Sequence, residues 1–211
     1  MRCKILKILR LLSGCILLSA LLLPRLACAE TEGGFSYTVV GSIAVIDGYD
    51  GAAELVNIPD TLGGFTVTAI GEEALSGLSA DSVSLPRSVS VLQKGAFRGA
   101  RMREIRFSYG LAMIEEEAFA ECENLVGAAL PETLETLSGG AFKGCSSLLY
   151  VTLPESVRIE EDPFPDCPRL KTLAMVQEHP TLSLIGNKLI SREDSRVLSV
   201  LHALSPEEDH E

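Results

Sequence analysis

From Ala53 to Cys167 the chain repeats itself every 22–23 residues, and this period constrains the fold more than any other feature. Residues 116–134, EEAFAECENLVGAALPETL, and 139–157, GGAFKGCSSLLYVTLPESV, place matching letters in matching slots, 23 residues apart. A Phe or Leu recurs at Leu75, Phe97, Phe119, Phe142 and Phe164, and an aliphatic residue five positions earlier at Ile70, Leu92, Ile114, Leu137 and Ile159. Both columns advance by 22, 22, 23 and 22 residues, so they hold one register.

Three further columns share the pattern L-x-x-V-x-L. They run through Ala53, Ala80, Met102, Leu125, Leu148 and Leu170, through Val56, Val83, Ile105, Ala128, Val151 and Leu173, and through Ile58, Leu85, Phe107, Leu130, Leu153 and Met175. The closing alternation predicts a short strand with one buried face. Pro59, Pro86, Pro131 and Pro154 follow it, where a residue without an N–H can end a ladder, and Ser108 takes that place in the third repeat. One such repeat cannot bury its apolar edge alone, whereas stacked repeats turn each column into an interior ladder. The expected fold is a repeat solenoid, mainly β, with five repeats and a final strand at 170–175. Six strands spaced about 4.8 Å apart form a short parallel sheet about 24 Å long on one face. The segment I-x-x-x-A-F-x-x-C makes tight turns or short helical turns opposite.

The flanking segments divide the rest of the chain. MRCKILKILR, LLSGCILLSALLL and PRLACAE form a basic head, an apolar middle and small residues at Ala27 and Ala29, the layout of a signal peptide over 1–29. The apolar stretch of 13 residues is short of the roughly 20 that a membrane span needs. Cleavage is expected after Ala29, leaving no transmembrane segment in the mature chain and a secreted or cell-surface protein. Leu12-Ser13-Gly14-Cys15 resembles a lipobox, but its apolar stretch follows the cysteine, so a lipid anchor at Cys15 is the lesser reading. Residues 30–52 read as an N-terminal capping hairpin, 53–176 as the solenoid, 177–201 as a C-terminal hairpin turning at Gly186-Asn187 and near Glu193-Asp194, and 202–211 as an acidic tail.

The pattern L-x-x-V-x-L-P-x-x-V-x-x-I-x-x-x-A-F-x-x-C resembles the BspA-like leucine-rich repeat of secreted and surface bacterial proteins. The opening FSYTVVGSIAVIDGYDGAAELVNIPDTLGGFTVTAIGEEAL and the closing LIGNKLISREDSRVLSVL resemble that family's ends, over about 35–201. The resemblance implies a leucine-rich repeat solenoid with a binding or adhesion role, and it brings no catalytic residue. The first repeat departs from the pattern with Leu75 for Phe and a 63–68 loop, the fifth with Pro163 before Phe164, as terminal repeats do.

Cys122, Cys145 and Cys167 occupy one slot in three successive repeats. Adjacent coils bring such residues about 5 Å apart, within reach of a disulfide, and export permits oxidation. A structural ladder of buried thiols is the preferred reading of their slot, since free Cys is among the most buried residue types. A thiolate metal site fits less well, because zinc takes converging ligands, commonly in C-x-x-C pairs.

Charge and motifs narrow the function. Beyond residue 29 the chain has 13 Lys and Arg against 29 Asp and Glu, net −16, which repels phosphate backbones and makes nucleic acid an unsuitable partner. The runs Glu115-Glu116-Glu117 and Glu207-Glu208-Asp209-His210-Glu211 read as solvated surface. Asp47-Gly48-Tyr49-Asp50-Gly51 lacks the ligand spacing of a calcium loop and reads as a turn of the first hairpin. No nucleophile elbow, H-E-x-x-H, Walker loop or C-x-x-C occurs, and His179, His202 and His210 lie beyond the repeats. We therefore expect no enzyme, cofactor or metal.

With the L, V and L columns inward, the residues between them face out. Arg103, Arg106, Val126, Leu149, Tyr150, Thr152 and Lys171 form the candidate binding surface, in which Arg and Tyr beside aliphatics have the composition of an interface hot spot. An unknown extracellular protein is the expected ligand. Carbohydrate recognition, a structural surface-layer role and a hydrolase with an unrecognised acidic site are the alternatives; the first is disfavoured by four Tyr and no Trp for stacking on sugars.

Overall fold

Each repeat forms one coil of a solenoid, and the computed structural model describes residues 29–175 and 179–201. Residues 1–28, which hold most of the expected signal peptide and Cys15, and the expected acidic tail 202–211 lie outside the described residues. The expected cut between Ala29 and Glu30 falls at the start of the first strand, β1 (Ala29–Glu32).

The L-x-x-V-x-L segments give β4 (Leu55–Asn57), β7 (Ser82–Ser84), β9 (Glu104–Arg106), β11 (Gly127–Ala129), β13 (Tyr150–Thr152) and β15 (Thr172–Ala174), whose pairings are parallel. They form two groups, β4-β7-β9 and β11-β13-β15, rather than one continuous six-stranded ladder. The two meet where the Val126 N–H donates to the Arg103 carbonyl at 3.2 Å. This loosening coincides with the largest member of the final column, Phe107, beside the smallest of the V column, Ala128.

A second parallel ladder, absent from the expected architecture, runs through β6 (Phe65–Ile70), β8 (Val91–Leu92), β10 (Met113–Ile114), β12 (Thr136–Leu137) and β14 (Arg158–Ile159). Most of its strands are two residues long, too short to display an alternation, and only their inward column was visible in the sequence. The 63–68 segment is likewise not a loop. Phe65 begins β6, which pairs antiparallel with β5 (Thr61–Leu62) across the Gly63-Gly64 turn.

The corner segments contain no helix among the described residues, only successive turns. They too are laddered: the N–H of Leu75, Phe97, Phe119 and Phe142 donates to the carbonyl of residue 96, 118, 141 and 163 in the next coil, at 2.7–2.8 Å. Pro163 keeps the carbonyl of the Ala slot, which accepts from Phe142, but loses the N–H that Ala74, Ala96, Ala118 and Ala141 donate to the carbonyl three residues earlier; the equivalent carbonyl, of Glu160, accepts from the Arg196 guanidinium instead. The first four corners also hold left-handed backbone at two slots, and the fifth at one. One is filled by Glu73, Gly95, Glu117 and Gly140 (φ 53–66°) and the other by Gly77, Gly99, Glu121, Gly144 and Asp166 (φ 57–70°).

The columns meet in one continuous core. Phe97, Phe119, Phe142 and Phe164 stack at centroid spacings of 5.3, 5.1 and 5.7 Å, and Phe107 meets Phe119 edge-on at 5.8 Å. Ala53 departs from its expected column and is exposed, although Val56 and Ile58 of the same coil are buried.

At the N-terminal end β1, β2 (Phe35–Val40) and β3 (Ile43–Tyr49) form an antiparallel three-stranded cap, one strand more than the expected hairpin, and β3 joins the second ladder through β6. Asp47–Tyr49 belong to β3 rather than to a turn: the Asp47 carboxylate accepts from the Thr38 hydroxyl at 2.6 Å, and Gly48 lies against the Ser36 side chain beside a bulge. At the other end β16 (Leu182–Ile185), β17 (Lys188–Ser191) and β18 (Val197–Val200) form an antiparallel sheet, turning at Gly186-Asn187 and again over 192–196.

Candidate binding surface

Strand register places the outward residues in two files. One is Leu55, Ser82, Glu104, Gly127, Tyr150 and Thr172, the other Asn57, Ser84, Arg106, Ala129, Thr152 and Ala174. A parallel ladder carries each file straight up the sheet, so position within the repeat decides which residues become neighbours.

The seven candidate residues lie along the C-terminal part of this sheet. Tyr150 is 48% exposed, and Val126, Thr152, Arg103 and Lys171 are exposed as well. Leu149 is half-buried; its carbonyl holds the next coil by accepting from the N–H groups of Lys171 and Thr172. Arg106 is exposed but held along its own strand, its Nε donating to Glu104 at 2.9 Å. Such an exposed pair is worth little to stability, and here it orients the guanidinium. Tyr150 is positioned by its neighbour, since its ring occupies the space above Gly127 on β11. The result is a shallow apolar area of Val126, Gly127, Ala129, Tyr150 and Ala174, bordered by Arg103, Arg106 and Lys171.

Some exposed apolar groups escaped the sequence reading. Leu55 is not one of them: the alternation places it outward, and at the far end of the first file it is 66% exposed. On the C-terminal cap Ile185, Val197 and Val200 are exposed, a pattern that the alternation in RVLSV carries but that a capping role concealed. His179, noted only as lying beyond the repeats, is fully buried: its Nε2 lies 3.1 Å from the Pro154 carbonyl, and its Nδ1 accepts from the N–H groups of Thr181 and Leu182.

The cysteines lie opposite, inside the corner. All three are buried and free, and the Sγ of Cys122, Cys145 and Cys167 donates to the carbonyl of Phe97, Phe119 and Phe142 at 3.0–3.1 Å. Contact with the Cys122 and Cys167 thiols, together with burial, pushes the Cys145 thiol far up from its ordinary range. The acidic run is paired: Glu116 with Lys94 at 3.0 Å, Glu117 with Arg98 at 3.0 Å, while Glu115 accepts from the Lys94 N–H. Among the described residues no group of three or more His, Cys, Asp or Glu is placed to hold a metal ion, and no helix is long and apolar enough to cross a membrane.

Comparison with known proteins agrees with this architecture. No curated protein matches the chain. The leucine-rich repeat protein TpLRR of T. pallidum is 28% identical, with a TM-score of 0.55, over 69% of this chain and 81% of its own. A leucine-rich repeat protein from Bacteroides ovatus is 24% identical (TM-score 0.62, 69% of this chain and 42% of its own), and the pneumococcal vaccine antigen PcpA 21% identical (TM-score 0.64, 83% and 56%). The chain thus spans about half the length of these last two, which share its fold. Residues 55–190 match the BspA type leucine rich repeat region in six copies, well over half of the sequence, and the chain belongs to that family.

Proposed function

We propose that this repeat protein is a secreted or cell-surface recognition module that binds an extracellular protein on the outward face of its sheet, without catalysis. The observation that carries this reading is the association of an exposed Tyr150 and Val126 with small residues and three cations on a laddered, rigid surface. Aromatic and arginine side chains that meet a partner from a preorganised backbone lose little freedom on binding, which is why they dominate interface energetics. The leader-like residues 1–29 support export. An array of extracellular proteins and glycans probed with residues 30–211 tests the reading. Protein binding that is lost in Tyr150→Ala and Arg106→Glu, with folding intact, supports it; binding to glycans alone, or binding indifferent to both substitutions, refutes it.

A further inference from the structure

Strand β15 ends the outward sheet, and among the described residues it pairs only with β13. The side toward β13 is fully used: the Thr172 N–H donates to the Leu149 carbonyl at 3.2 Å and the Leu153 N–H to the Ala174 carbonyl at 2.8 Å. Peptide groups alternate sides along a strand, so the N–H and C=O of Leu173 face the opposite way. At β4, β7, β11 and β13 the next coil takes up that side. Here the chain instead turns into the separate sheet β16-β17-β18, which leaves a cavity of about 260 Å³ alongside β15. Lys171, Thr172 and Leu173 form one wall, and Leu184, Gly186, Asn187 and Leu201 the other.

The chemistry of this space is specific. Leu173, Leu184 and Leu201 supply apolar surface. The Asn187 amide nitrogen is committed to the Leu201 carbonyl at 2.9 Å, which fixes the far wall. Lys171 is the one charged lining residue, and no carboxylate among the described residues lies within ion-pair distance of it. A strand edge offers one donor and one acceptor in the geometry that another extended backbone satisfies.

We propose that the free edge of β15 is a second binding site, which takes an extended peptide as an added strand, with an aliphatic side chain in the cavity and a carboxylate at Lys171. The site is read through peptide groups, whereas the sheet face is read through side chains; the two share only Lys171, so this edge does not depend on the proposed face. Self-association of the chain through this edge is the competing outcome that the test distinguishes.

The test uses ¹⁵N-labelled residues 30–211 and the probe peptide acetyl-Thr-Val-Thr-Val-Asp-amide, beside the same peptide ending in Lys. We expect saturable shifts and slowed exchange at the Leu173 amide, with the Asp peptide bound about threefold or more tightly than the Lys peptide. Lys171→Glu reverses that order, Leu184→Trp fills the cavity and abolishes binding with the spectrum otherwise intact, and Tyr150→Ala leaves peptide binding unchanged. The proposal is overturned by the absence of saturable change at Leu173 up to millimolar peptide, by changes confined to 150–152, by an unchanged preference in Lys171→Glu, or by the same shifts arising from self-association without peptide. Because Tyr150→Ala affects only the face, failure of one reading is distinguishable from failure of the other.

Discussion

The ring of Tyr150 lies across Gly127 on the neighbouring strand: a methyl group placed on Gly127 would collide with the Tyr150 Cζ. The aromatic covers backbone that the glycine leaves bare, and the glycine lets the ring lie flat on the sheet. This changes the reading of Tyr150 from a free hot-spot side chain to one whose pose is set by its neighbour. Gly127→Ala therefore displaces the ring into solvent, which a half-exposed side chain tolerates. Because Ala is favoured over Gly within a strand by about 0.5–1 kcal/mol, stability stays within about 1 kcal/mol of wild type. Partner binding falls as far as in Tyr150→Ala, and the double variant is no worse than either single one. Additive losses in that cycle would separate the two residues.

The left-handed corner slots make a second prediction. Gly99 has open space where a side chain would sit, so Gly99→Ala carries only the backbone penalty and destabilises by about 1–2 kcal/mol at any ionic strength. Glu121 holds the same conformation (φ 61°) and is paired with Arg98 at 3.1 Å, both partners well exposed. Glu121→Gly relieves the backbone while losing a pair worth about 0.2–1 kcal/mol and giving the unfolded chain more freedom, so it lies within about 1 kcal/mol of wild type in low salt. In about 0.5 M NaCl the pair is screened and the difference moves in favour of the glycine variant. Urea midpoints at both salt levels decide; a loss above about 2 kcal/mol that ignores salt would mean the Glu121 side chain packs rather than merely pairs.

The same slots show why part of the fold was legible in the sequence and part was not. Phe119, Ile114, Leu125 and Leu130 each recur in a column of one chemical type, because a ladder interior accepts only that type, so counting alone located the core. The corner slots demand a backbone angle instead. Gly99 and Glu121 both supply it, and the column has no common side chain to count. The second ladder stayed hidden because Val91–Leu92 and its counterparts are two residues long, and β6 because Gly63-Gly64 resembled the start of a loop. Of the candidate surface, the outward direction of Tyr150 and Thr152 followed from the alternation. The pairing of Tyr150 with Gly127, the edge at Leu173 that no described residue pairs with and the burial of His179 depend on which neighbour each meets, and no period encodes that.

His179 secures the C-terminal cap. With Nδ1 accepting from two N–H groups, the proton of the neutral ring resides on Nε2 and is donated to Pro154. His179→Ala strands a buried carbonyl and two N–H groups, at about 1–3 kcal/mol. The loss is local: amide exchange accelerates across 182–200 before any change appears between Val83 and Ile159, because the cap opens as its own unit. Uniform acceleration over the whole solenoid would show instead that cap and repeats open together.

Alkaline pH probes the two ends of the core separately. Burial, the Glu30 carboxylate that accepts the Tyr37 hydroxyl at 3.0 Å, and the nearby Glu32 push the Tyr37 phenol up to about 12 from 10.0. A folded-state value above the unfolded one means the fold favours the protonated form. Its contribution is complete below about pH 10 and is lost as pH rises toward 12. The Cys145 thiol is also raised, by its thiol neighbours and by burial, so its contribution begins to fade lower, above the unfolded thiol value of 9.0. Wild-type urea midpoints should therefore fall from about pH 9 and more steeply above about pH 10. Tyr37→Phe keeps the first decline and flattens the second; Cys145→Ala removes the first and keeps the second. Parallel curves for wild type and Tyr37→Phe between about pH 10 and 11.5 would show that the Tyr37 phenol ionises as readily in the folded chain as in the unfolded one.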